Sequence, residues 1–558
     1  MSGDEWLSEA ECPMAVRRFV LSSAVPMTAV LIVTAGCSDS PPAAVWVDPP
    51  RASGGPMSAP PPAGGGLVKE GWFGAADGLH ARIEIKGVER QPTRSVLRLT
   101  LTPLEAATPS PTAAAGTMPF AVSLLDPVNR RFYRPLTGGQ PSRLTVNTPQ
   151  EMTVEYPPLP PDVQRITVIT PGTAGEFTGV PVTTAAASAP TSSASTSSAP
   201  TATAAAAATP GAAPTTSPTA SPTASPGASQ APGGGAIDLY DITEGEVRDV
   251  VSGPAEESLS LRADALFDSD SDKPSARARQ VLDQAAADIR QKADPARPIA
   301  VDGHTDSAGD ASRNLDLSRR RAEAVVKELK NRLGASFTFT ATGKGEADPV
   351  AKEGGSGDAA ARARNRRVVI SYRVRQQAPG ARPPSATSTA STASATPTLS
   401  ASATPTPSAT PSPAEFRARD GATVASRTGR FGQAKRRLDV KPFYRDGAYL
   451  VAVFEIVNEG PGNTPPDASY AHKDYPGGAF TAFSVSAPGG KDVYRAVRIG
   501  PAAPGAYAAY VDPGRATFRT GVGQPARGFV YFPAPPGTVT KVTFDAGPFG
   551  KIDNVPVD

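Results

Sequence analysis

Apolar and polar residues alternate at every second position in Arg82–Val88, Val96–Leu101 and Tyr449–Ile456, the pattern of strands with one buried face. Between these stretches, in residues 237–375, the period changes. From Pro274 to Lys292, Val281, Leu282, Ala285, Ala286 and Ile289 share one helical face, with Pro274 placed to start the helix. Leu317, Ala322, Val325, Val326 and Leu329 recur at steps of three and four and predict a helix over Leu317–Leu333, stopped by Gly334. Short runs at Ala265–Phe267, Ile299–Val301, Phe337–Thr342 and Val368–Val374 read as strands. The order β-α-β-α-β implies one sheet with helices on one face, because each crossover returns the chain to the same sheet.

Composition divides the rest. The chain has 558 residues with 61 Pro and 52 Gly. Residues 183–236 and 376–414 are almost entirely Ala, Ser, Thr, Pro and Gly, and lack the apolar side chains that offset ordering entropy. They read as disordered linkers, and residues 38–66 as a shorter disordered tether. The expected fold is therefore multidomain: a central α+β domain at 237–375 flanked by β-sandwich, immunoglobulin-like domains at 67–182 and 415–558. The flanks resemble each other. Tyr156-Pro-Pro-Leu-Pro-Pro matches Tyr531-Phe-Pro-Ala-Pro-Pro, and Asp126–Arg134 matches Ala487–Arg495, which suggests two copies of one unit.

Residues 1–13 carry Asp4, Glu5, Glu9 and Glu11, which does not suit an export signal. From Met14 the text does: Arg17 and Arg18, an apolar stretch from Phe19 to Val33, then Ala35-Gly36-Cys37. Residues 1–37 are expected to be a signal segment with its working start at Met14. The small residues before Cys37 look like a bacterial lipobox, with Thr34 where an aliphatic residue is usual, so Cys37 is the expected lipidation site. Net charge is +3 with both signs interspersed, which offers no general field for nucleic acid. Three histidines and two cysteines, far apart, give a zinc site little to be built from.

The sharpest signal lies where Ile299–Val301 gives way to a polar loop and the helix after it. Leu266-Phe-Asp268, Gly303-His-Thr-Asp-Ser-Ala-Gly309, Asn314, Leu317-Ser318, Arg321-Ala322, Gly343-Lys-Gly-Glu-Ala-Asp-Pro349 and Arg362-Ala-Arg-Asn-Arg-Arg-Val368 keep their spacing across residues 260–375. This stretch resembles the OmpA-like peptidoglycan-binding domain of outer-membrane porins, peptidoglycan-associated lipoproteins and flagellar stator proteins. The resemblance implies noncovalent grip on the diaminopimelate residue of the peptidoglycan stem peptide. Asp306 would accept the ligand ammonium and Arg321, fifteen residues on, would hold its α-carboxylate. Diaminopimelate ends in a zwitterion, and the planar guanidinium fork suits a carboxylate. Thr305, Asn314 and Ser318 are expected to complete the pocket, and the start of a helix near Arg321 to add a positive dipole end. His304 is expected to pack in the loop, and the arginines of 362–367 to serve structure and the anionic wall.

No nucleophile–base pair, metal cluster or cofactor motif is visible, so the protein is expected to be non-enzymatic, without cofactor or metal. The expectation is an exported protein, lipid-anchored through Cys37 to the cell membrane and bound to the wall, in an actinobacterial envelope to judge by its Ala, Pro and Arg usage. The alternative places the function in the flanking sandwiches, as adhesion or partner-binding modules moored by the wall domain to an unidentified protein or glycan.

Overall fold

The computed structural model describes residues 66–73, 79–105, 122–138, 145–184, 235–355, 358–376, 411–464, 468–502, 508–513 and 521–558. The expected signal segment, Cys37, the tether before Gly66, and all but the ends of the Ala/Ser/Thr/Pro tracts lie outside them.

The first flanking region has nine strands: β1 (Leu67–Phe73), β2 (Leu79–Arg90), β3 (Ser95–Pro103), β4 (Ser123–Asp126), β5 (Arg131–Tyr133), β6 (Thr137–Gly138), β7 (Gln150–Tyr156), β8 (Arg165–Ile169) and β9 (Glu176–Thr184). One sheet runs β1-β2-β3-β7-β6 and the other β9-β8-β4-β5. Alternation in β2 turns Leu79, Ala81, Ile83 and Ile85 inward, where they meet Leu124, Val168 and Phe177 of the facing sheet.

The central region opens with β10 (Ile237–Glu244), β11 (Arg248–Ser252) and β12 (Glu256–Arg262). It continues through α1 (Ala263–Leu266), α2 (Ala276–Lys292), β13 (Ile299–His304), α3 (Ala311–Leu333), β14 (Phe339–Gly345), α4 (Asp358–Asn365) and β15 (Arg367–Arg373). Its sheet runs β10-β11-β12-β15-β13-β14, and the β13–β14 pair is parallel. Leu282, Ala285 and Ile289 of α2 and Ala322, Val325 and Leu329 of α3 pack on Leu259, Val301, Val368 and Ile370. Both helices therefore cover one face of a mixed sheet. The expected strand at Ala265–Phe267 is absent. Ala265, Leu266 and Phe267 are all buried, which a one-faced strand cannot achieve, and a single helical turn can. The first strand of the helix-covered sheet is instead β12.

The second flanking region comprises β16 (Ala425–Phe431), β17 (Ala434–Val440), β18 (Tyr444–Asp446), β19 (Tyr449–Asn458), β20 (Ser484–Ser486), β21 (Val493–Ile499), β22 (Ala509–Tyr510), β23 (Pro525–Pro533), β24 (Lys541–Asp545) and β25 (Lys551–Pro556). Its sheets run β16-β17-β19-β23 and β25-β24-β20-β21. This is the order of β1-β2-β3-β7 and β9-β8-β4-β5.

The three regions are not separate beads. One edge of β10 pairs along its C-terminal half with β11, while Ile237 and Asp238 pair with β5 and Leu239 to Glu244 pair with β21. A ten-stranded sheet thus runs β25-β24-β20-β21-β10-β11-β12-β15-β13-β14. Leu125, Phe132 and Ile169 of the first flank also pack on Val451, Val453, Phe529 and Tyr531 of the second. The expected linkers lie almost wholly outside the described residues, but the regions they join are packed on one another. The physical reason lies in β19, which reads as half-buried but buries both faces: Leu450, Ala452 and Phe454 inside its own region, Val451 and Val453 against the first flank.

Charge is buried in the same contact. Arg527 donates to Glu176 at 2.8 Å and to Asp420 at 2.6 Å, and Tyr444 donates to Glu176 at 2.8 Å. Burial opposes the Glu176 charge, yet the Arg527 and Lys69 cations hold its carboxyl down at about 2. A lowered carboxyl stabilises the fold fully above its unfolded value of about 4.5, and that stability is lost as pH falls towards 2. Arg527→Ala removes the cation that bridges Glu176 and Asp420, and is expected to cost about 3–5 kcal/mol in denaturant unfolding.

Candidate functional site

The site is built on close approach between a helix and two strands. Gly303 of β13 and Gly343 of β14 are register partners. A Cβ on Gly303 would lie 2.0 Å from the Ser318 carbonyl oxygen, and one on Gly343 would lie 2.7 Å from the Leu315 oxygen and the Arg319 nitrogen. The α3 backbone therefore rests directly on the strand ends. Ser318 fastens it there, donating to the Leu315 oxygen at 2.7 Å and accepting from the Gly345 N–H at 3.0 Å. Asp310 caps α3 by accepting from the N–H groups of Ser312 and Arg313, both at 3.0 Å. This cap explains why α3 begins six residues before the expected Leu317. Its first two turns are polar on the buried side, so apolar periodicity does not mark them.

That buried stripe carries the site. Asn314, Ser318 and Arg321 continue the line of Val325 and Leu329, so one helix face passes from polar to apolar as it enters the core. The Asn314 amide donates to the Ala308 oxygen at 3.0 Å and to Glu346 at 2.8 Å, holding the loop that bears Asp306. Asp306 Oδ2 accepts from Arg366 Nη1 at 2.7 Å, whereas Oδ1 has only the Ala308 N–H at 3.4 Å. Arg366 reaches Asp264 as well, through Nε at 2.9 Å and Nη2 at 2.6 Å. The Asp264 hydrogen bonds foremost, then Asp306, raise the pKa of the Arg366 guanidinium despite burial.

Arg321 is 5% exposed, and burial lowers its pKa. Its Nε donates to the Ser271 carbonyl at 2.9 Å, and the guanidinium lies over the Phe267 ring at 5.3 Å. Among the described residues no carboxylate comes within 4.0 Å of it, and its two Nη nitrogens have no hydrogen-bond acceptor. A fork oriented by Nε and by Phe267 thus keeps its terminal donors for something else.

Asp306 and Arg321 make no direct ion pair, because Arg366 takes the carboxylate. Three placements differ from the sequence reading. Ser318 is fully buried with its hydroxyl engaged on both sides, so it positions α3 and does not face a ligand. Thr305 is also buried; its Oγ1 finds no partner among the described residues, while its N–H donates to the Gly345 oxygen at 2.9 Å. Arg321 is the eleventh residue of α3, about 15 Å from the helix start, too far for the terminal dipole to act. Sequence reasoning also passed over Asp264, Phe267 and Arg366. Arg366 was grouped with its neighbours as structural. Asn365, which grips the Val350 and Ala351 N–H groups at 2.9 and 3.0 Å, and Arg367, which donates to the Asp348 oxygen at 2.9 Å, do have that role. His304 packs as expected, 5% exposed, and burial foremost, with Arg367 and Lys344 nearby, lowers its pKa to about 3.

Two outcomes follow from this geometry. A histidine with a lowered folded pKa stabilises the fold fully above its unfolded value of 6.5, and that stability is lost as pH falls. Unfolding free energy is expected to drop by about 2 kcal/mol between pH 7.5 and 5 from this residue, and His304→Asn should remove that slope in pH-dependent denaturation. Gly303→Ala is expected to destabilise by about 1–3 kcal/mol or more, through displacement of α3, measured by thermal unfolding.

Comparison with known proteins places this geometry. The family model described as the OmpA family matches residues 266–366. Outer membrane porin F of Pseudomonas aeruginosa is 38% identical over 118 residues, covering 20% of this chain and 31% of that protein. The peptidoglycan-associated lipoprotein of Pasteurella multocida is 34% identical over 93 residues, covering 17% of this chain and 59% of that protein. The chain thus spans less than two thirds of either relative. The crystal structure of the peptidoglycan-associated lipoprotein from Burkholderia pseudomallei is 32% identical, with a TM-score of 0.17, covering 20% of this chain and 88% of that one. Residues 266–366, which hold Asp306, Arg321 and Arg366, are thus an OmpA family domain.

Proposed function

We propose that the protein is a non-enzymatic anchor that binds peptidoglycan through the diaminopimelate of its stem peptide. The observation that carries this reading is the unengaged Nη fork of buried Arg321, together with a carboxylate, Asp306, that Arg366 holds by one oxygen and leaves the other weakly used. A zwitterionic side-chain end fits both: its carboxylate takes two charge-assisted bonds from the fork, and its ammonium donates to Asp306 Oδ1. Arg366 keeps Oδ2 and so acts as a positioning residue. It neutralises Asp264 and leaves the pocket with the one anion and one cation the ligand needs. The relatives named for peptidoglycan association and the outer membrane support an envelope setting.

In this reading Cys37 carries a lipid that holds the chain to the membrane, supported by the basic, apolar and small-residue order of residues 14–37. The two flanking regions are copies of one β-sandwich, a reading that their common strand order supports. Packed against the wall domain, they are presented with it as one body.

The test is co-sedimentation of the full chain with diaminopimelate-type peptidoglycan. Wild type is expected to pellet and to be released by free diaminopimelate. Asp306→Ala and Arg321→Ala should each weaken retention by about tenfold or more while unfolding at temperatures near wild type. Arg366→Gln should weaken it less. Full retention by both alanine variants would overturn the site.

A further inference from the structure

A second site lies on the opposite face of the sheet. There, Tyr510, Arg498 and Tyr240 are cross-strand neighbours on β22, β21 and β10. They contribute to the floor of a cavity of about 800 Å³ among the described residues, within the range of small-ligand sites. Asp474 and Tyr475 of the second flank and Arg364 of α4 wall it, so the cavity exists only because the central and second regions share β10.

Its polar groups are incompletely satisfied. Arg498 is 9% exposed, lies over the Tyr240 ring at 5.1 Å and donates through Nε to the Gly500 oxygen at 3.1 Å. Among the described residues no carboxylate lies within 4.0 Å of it and its Nη nitrogens have no acceptor. An uncompensated buried cation costs stability, and no carboxylate of the described residues pairs with this one. The Asp474 side chain is 2% exposed, and while Oδ2 pairs with Arg364, its buried Oδ1 has no donor. Buried Arg364 Nε likewise has no acceptor. The lining thus offers a cationic fork at Arg498, which an apolar or uncharged ligand would leave unpaired and an acid group would fill, whereas Asp474 Oδ1 and Arg364 Nε are closed off behind the lining.

We infer that this cavity binds a small organic anion bearing a carboxylate or phosphate, with Arg498 meeting the acid. The inference goes beyond the wall-binding reading and stands on different residues.

The test is calorimetric titration of the full chain with glucuronic acid and with glycerol 3-phosphate, with glucose and glycerol as uncharged counterparts. At least one charged probe is expected to bind, about tenfold or more tighter than its uncharged counterpart, and which one identifies the acid. Arg498→Met should abolish binding with an unchanged or raised melting temperature. Arg498→Lys, which keeps the charge but not the fork, should weaken it. Asp306→Ala should leave these titrations unchanged while losing peptidoglycan retention, which separates the two sites. No binding of either charged probe, equal binding of charged and uncharged probes, or unchanged binding in both Arg498 variants would overturn the assignment. So would a variant Arg498→Met that unfolds, since the cation would then serve the fold.

Discussion

A β-strand has two edges, and in this protein one strand uses them to join three folded regions. One edge of β10 is divided between β5 of the first flank, at its start, and β11; the other meets β21 of the second. Backbone ladders are directional and obligatory, so this division fixes both flanks relative to the central sheet and closes the edges that β5 and β21 would otherwise expose. The apolar contact between Val451, Val453, Phe529 and Tyr531 and the first flank then buries what the ladder has brought together. Long connections between the regions do little to oppose this, because loop closure grows only slowly more costly with length. The cavity around Arg498 is a by-product of the same ladder.

The candidate site depends on a second constraint, the bare glycine pair under α3. Gly303 and Gly343 let the helix backbone touch the strand ends, and this sets Asn314, Ser318 and Arg321 at fixed depth beside the Asp306 loop. Three charges then divide the labour. Arg366 pins Asp264 and Asp306 through hydrogen bonds of 2.6 to 2.9 Å, and Arg321 is left with an oriented, unpaired fork. Burying such a cation without a partner is costly, and a bound carboxylate would offset that cost. The same imbalance appears at Arg498, where it again marks a cavity.

Much of the central domain was legible because its signals are local. Helical periodicity in 274–292 and 317–333 and the apolar runs at 299–301 and 368–374 point to the sheet and its helix-covered face. The motif spacing gave Asp306 and Arg321. What was not legible was non-local. Whether Tyr449–Ile456 buries one face or two depends on the first flank, some three hundred residues away, and alternation alone does not report it. Arg366 could be seen as a motif residue but not as the partner of Asp306, because that pairing spans sixty residues. Ser318 looked like a ligand contact because serine in a polar stripe reads as exposed until the glycines beneath it bring the helix down.

The most direct measurement compares retention of the full chain on diaminopimelate-type and lysine-type peptidoglycan at equal mass and ionic strength. Lysine offers the ammonium for Asp306 but no side-chain carboxylate for Arg321. The account expects binding to the diaminopimelate wall and about tenfold or more weaker binding to the lysine wall. Equal retention on both would contradict it, since the unpaired fork of Arg321 would then have no part in recognition.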